Sequence, residues 1–110
     1  MTRAKLPSKR HGTTRKFAVD MVRLYVTINR DHRGRICEMF AKATHGHQPH
    51  MDGICLFASL AMQHGAEPQD IAAKLRHTRH EPAGIVGQPK SLTDALGVAL
   101  EAEITATENH

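Results

Sequence analysis

Tryptophan is absent from this 110-residue chain, and its other aromatics are one Tyr and three Phe. So few rings argue against a base-stacking surface of the kind that single-strand binders use. No run of 18 apolar residues occurs, so the expectation is that nothing spans a membrane. The basic N-terminus has no apolar h-region, and no secretory signal is expected. Cysteine is scarce: Cys37 and Cys55 have neither metal nor redox spacing, and a reducing cytoplasm is the expected compartment. No GxSxG, P-loop, dinucleotide fingerprint, CxxC or HExxH is present, which leaves catalytic constellations thin. A chain this short holds one domain with a modest core.

Acidic residues are missing from the first sixteen positions, where Arg3, Lys5, Lys9, Arg10, Arg15 and Lys16 make a local +6. The remaining residues sum to −2 within a net charge of +4. Such an arm, with Arg10, Arg15 and Lys16 nearest the body, suits the phosphates of a nucleotide or nucleic acid. Without a recognition motif, the favoured reading is a solvated, partly disordered terminus. Residues 1–12 are expected to form a flexible arm, 13–105 a single domain and 106–110 a flexible tail.

Period-two patterning is the strongest signal present. Val22, Leu24, Val26 and Ile28 share one face, with Arg23, Tyr25, Thr27 and Asn29 on the other, the mark of a strand buried on one side. Asn29–Gly34 supplies turn residues that tolerate left-handed backbone. Arg35–Ala43 resumes the alternation, with Cys37, Met39, Ala41 and Ala43 on one side. Thr13–Val19 alternates weakly and reads as a leading strand. His45–Pro49 reads as a loop.

Met51–His64 is apolar nearly all round, predicting a helix buried on most sides and stopped at Gly65. Pro68 opens a second helix, and Arg79–Lys90, with two Pro and two Gly, is irregular. Ser91 followed by Asp94 resembles a capping start. Leu92, Leu96, Leu100 and Ile104 then form the stripe of a last helix. The plan is α+β: a small antiparallel sheet of two or three strands, followed by three helices that cover one face. Sheet edges left open by this plan would permit a homodimer.

Two groups of side chains invite chemistry. His45, His47 and His50 lie within six residues and, with a thiolate or carboxylate nearby, such imidazoles can hold zinc. With no CxxC or HExxH beside them, exposure to solvent as loop histidines is the favoured reading. His77, Arg79, His80 and Glu81 crowd a loop after a helix. They can bind a phosphate or carry protons, or they can simply tie that loop down. For Cys37 and Cys55 core packing is the favoured role.

The segments GTTRKF, LYVTINRDHRGRICEMF, AMQHG, IAAKLRHTRHEPAG and SLTDALGVALE, in this order from Leu6 to Glu103, resemble the TSCPD domain. That domain ends adenosylcobalamin-dependent (class II) ribonucleotide reductases and also occurs in small stand-alone proteins. The family's Thr-Ser-Cys-Pro-Asp run corresponds here to Lys90-Ser91-Leu92-Thr93-Asp94, so Ser and Asp remain while the cysteine is Leu92. A cysteine that many members carry in the RHTRHEPAG stretch is His80, and a Gly-Cys turn is Asp20-Met21-Val22. A thiolate site built on those cysteines is therefore absent or altered.

The resemblance implies a non-catalytic accessory or nucleotide-binding module related to ribonucleoside-diphosphate reductase and supporting deoxyribonucleotide synthesis. Adenosylcobalamin would enter only through a reductase partner, because the barrel and the radical chemistry are not in this chain. A small nucleic-acid-binding or regulatory protein using the basic arm is the alternative.

Overall fold

A computed structural model describes residues 11–108. Three strands, β1 (His11–Val19), β2 (Val22–Arg30) and β3 (Ile36–Ala43), form an antiparallel sheet in the order β1-β2-β3. Three helices follow: α1 (Gln48–Gln63), α2 (Pro68–Leu75) and α3 (Leu92–Glu108). The α+β plan is the one the patterning predicts.

Turn chemistry sets the register. Val19 pairs with Val22 across a two-residue reversal, and Asp20 takes the left-handed backbone there at φ 54°, which a tight hairpin demands. At the other end, Asp31 Oδ1 accepts the N–H groups of Arg33 at 2.9 Å and Arg35 at 3.0 Å. Gly34, at φ 79°, completes that turn. The register slips between Asn29 and Arg30, a bulge at the end of the paired region.

The inner sheet face carries Val19, Leu24, Val26, Ile28 and Met39, all essentially without exposure. α3 lies across this face and buries Leu92, Leu96 and Leu100, while α2 packs on α3. Gly97 marks that crossing, because a Cβ there would stand 3.0 Å from the Arg76 backbone N and Cδ.

Three expectations are corrected. α1 is not buried on most sides: Leu56 is 57% and Phe57 72% exposed. With a single helical layer, only the face bearing Met51, Cys55, Ala58 and Met62 meets the sheet. The helix also begins at Gln48, since Pro49 is tolerated in a first turn. The edge of β3 is not open either. Ser59 Oγ accepts the Met39 N–H at 3.0 Å and donates to the Met39 carbonyl at 3.1 Å. Gln48 accepts the Ala43 N–H at 2.8 Å and donates to the Ala41 carbonyl at 2.7 Å, and Gln63 donates to the Cys37 carbonyl at 3.2 Å. α1 thus presents polar side chains where another strand would pair, closing that edge.

Candidate functional site

The segment between α2 and α3 holds the densest polar chemistry among the described residues. α2 stops at Leu75, and His77 turns the chain through left-handed backbone at φ 64°. Ser91 caps α3: its Oγ accepts the Asp94 N–H at 3.0 Å while its hydroxyl donates to the Thr78 carbonyl. Asp94, 2% exposed, gathers both ends of the loop. Its Oδ1 accepts the His77 N–H at 2.7 Å and a bond from the Arg76 guanidinium, and its Oδ2 accepts the Lys90 N–H at 2.9 Å. Burial alone would push this carboxyl up. The N–H groups of Lys90 and His77, with the Arg76 charge, outweigh burial and hold it below its ordinary value.

His77 and Lys90 line a cleft of about 400 Å³ together with Phe17 and Val98, with Lys90 Nζ 2.9 Å from His77 Nδ1. His80 turns elsewhere: its Nδ1 is 3.0 Å from the Glu81 carbonyl and its Nε2 2.7 Å from Thr93 Oγ1. Glu81 accepts the Ala83 N–H at 3.3 Å. Arg79 is exposed, with no ion pair or hydrogen bond among the described residues. Of the four loop residues singled out, only His77 enters the cleft.

The basic residues separate. Arg10 lies outside the described residues, as does nearly all of the arm. Arg15 points to the inner side, where with Arg30 it clamps Glu103 of α3; the Arg30–Glu103 distance is 2.8 Å. Burial would raise the Glu103 carboxyl, but bonds from Arg15, Arg30 and Thr13 hold it below its ordinary value. Lys16 is on the opposite face, its Nζ 5.8 Å from the centre of the Tyr25 ring.

His45 occupies an exposed left-handed position at φ 58°, His47 is the residue before α1, and His50 is exposed in its first turn. Among the described residues no three His, Cys, Asp or Glu side chains gather as a metal ion requires. His50 instead meets His80, ring centres 5.1 Å apart, a contact across the fold that no local spacing signals.

A larger cavity of about 560 Å³ opens between the β2–β3 turn, the end of α1 and the start of α2. Ile36, Met62 and Ile104 supply its apolar lining, and Arg30, Arg33 and Arg35 stand against Asp31 and Glu67 among its charged groups.

The TSCPD domain profile matches residues 2–104. A vitamin B12-dependent ribonucleotide reductase of Agrobacterium fabrum is 28% identical over 99 residues, which is 87% of this chain and 8% of that protein. The chain therefore spans less than a tenth of the length of the curated relative it matches. No solved structure gives a significant match. Ser91 caps α3 and Asp94 ties the loop that precedes it, and the match runs almost end to end: the chain belongs to the TSCPD domain family.

Proposed function

We propose that this domain acts in the cytoplasm as a non-catalytic accessory of a vitamin B12-dependent ribonucleotide reductase, supporting deoxyribonucleotide synthesis by docking to the enzyme. The observation that carries the reading is the alignment of 87% of the chain with 8% of such a reductase. A domain of that share contributes to a reductase by contact, while cobalamin and radical chemistry stay on the partner. The thiols agree with a non-catalytic role. Cys37 and Cys55 are buried on a strand and a helix, and burial, then the Asp52 charge, pushes the Cys55 thiol up to about 12. A thiol in that state does not relay electrons.

Contact needs an apolar surface, and the outer side of α1 offers Phe57, an aromatic of the kind enriched at interfaces, with Leu56 beside it. The test is a pull-down from the native host with wild-type protein and with Phe57→Glu. The expected result is a reductase subunit recovered with wild type and lost with the variant, whose fold circular dichroism shows intact. Recovery of no reductase subunit by the wild type would overturn the proposal.

A further inference from the structure

The helices occupy one face of the sheet and leave the other to solvent. Four rows cross that face, and the one nearest the β2–β3 turn is Gly12, Asn29 and Glu38, with Glu38 buried and bonded to Asn29 Nδ2 at 2.9 Å. Thr14, Thr27 and Phe40 are paired across β1, β2 and β3, as are Lys16, Tyr25 and Lys42, while Ala18 stands opposite Arg23. Thr14 and Thr27 share a hydrogen bond of 2.7 Å, which fixes the Thr14 row on one side of the sheet. The Lys16–Tyr25 ring contact does the same for the Lys16 row. Lys16, Arg23, Tyr25, Phe40 and Lys42 are all exposed.

Tyr25 and Phe40 are diagonal neighbours on adjacent strands, a relation that places side chains roughly 7–8 Å apart. Lys16 and Lys42 flank Tyr25 at about one strand spacing, ~4.8 Å, on each side. Two rings side by side among three cations are the elements of a stacking platform with phosphate contacts. The scarcity of rings in the sequence pointed away from such a platform. The tertiary structure instead gathers two of the four aromatic residues of the chain onto one polar face.

We infer that this open sheet face binds a single-stranded nucleic acid, its bases stacked on Tyr25 and Phe40 and its phosphates held by Lys16, Arg23 and Lys42. Charge selects this occupant. The exposed charges in the Lys16 and Arg23 rows are all cations, Lys16, Arg23 and Lys42, and the one carboxylate on the face, Glu38, is buried and bonded to Asn29 Nδ2 at 2.9 Å, so the exposed charge suits a polyanion better than a second copy of the same cationic face. A single strand suits the rings better than a duplex, because its bases are free to stack on Tyr25 and Phe40.

The test is fluorescence anisotropy with the full chain and labelled oligothymidylate and oligouridylate of roughly 15 nucleotides, a length in the range of single-strand site sizes, read across a salt series. Binding of either strand is expected, with Tyr25→Ala and Phe40→Ala each raising Kd about tenfold, the fold-change of one lost stack. Lys16→Gln and Lys42→Gln should each flatten the log–log salt slope by about 0.7. These positions are exposed, and an unchanged melting temperature confirms that the variants are folded. A variant with Arg3, Lys5, Lys9 and Arg10 changed to Gln separates this face from the basic arm. The inference is overturned if neither strand binds, if binding is lost only in the arm variant, or if poly-glutamate competes as well as the oligonucleotides and the ring variants bind like wild type.

Discussion

Asp94 Oδ1 accepts the backbone N–H of His77 at 2.7 Å, tying the first turn of α3 to the residue that ends the α2 segment. The other carboxylate oxygen accepts the Lys90 N–H at 2.9 Å, so one side chain holds both ends of an irregular loop. Removing it leaves the two N–H groups without their acceptor and the Arg76 guanidinium with Glu101 as its remaining partner. Because Arg76 is a quarter exposed, the cost is below that of a fully buried pair. Asp94→Ala is expected to lose about 2–3 kcal/mol, read as a lowered urea midpoint with faster amide exchange over residues 77–90. A wild-type midpoint would remove Asp94 from this role.

Acid should unfold the domain through Asp94 and Glu103. Both carboxyls are held below their ordinary values of 3.8 and 4.5, so their folded forms release protons more readily than the unfolded chain does. Their contribution is complete above those ordinary values and is lost as pH falls through the lower folded ones. Glu103→Gln should be less stable than wild type near neutrality and should show a flatter decline below about pH 4.5. Equal slopes for variant and wild type would refute the linkage. Thermal melts across an acid series measure it.

Thiol chemistry should be silent in the native state. Cys37 and Cys55 are 4% and 3% exposed, and the Cys55 thiol is pushed up to about 12. Near pH 8 a thiol-specific chromogenic reagent is expected to react slowly with the folded protein and with both cysteines after denaturation. Rapid native labelling of Cys55 would contradict its placement.

The two sides of the helical layer predict opposite mutational outcomes. Leu96, fully buried under the sheet, should cost about 2–5 kcal/mol as Leu96→Ala. Phe57, 72% exposed, should change stability by no more than about 0.5 kcal/mol as Phe57→Ser. Denaturant titrations decide both, and a large loss at Phe57 would mean that α1 packs by another face.

Much of the fold is legible from adjacent residues. The alternation of Val22 to Ile28, the left-handed tolerance of Gly34, Pro68 in a first turn and the Ser91 cap each act over a few positions, and each appears where expected. α1 was legible as a helix but not in its orientation, because a segment apolar all round carries no stripe to show which side meets the sheet. The candidate loop was legible as polar. Its internal pairing was not: His77 faces Lys90 while His80 turns to Thr93 and His50.

The sequence by itself determined the local elements and their order, because backbone geometry and burial on one side write a period of two or about four into consecutive residues. Tertiary structure alone decided the rest. It set Arg15 and Arg30 on Glu103, 88 and 73 positions away, laid Gln48, Ser59 and Gln63 along the edge of β3, and brought Tyr25 and Phe40 together on an open face. These contacts depend on how whole elements pack, and no spacing along the chain encodes a distance between elements joined through turns and loops.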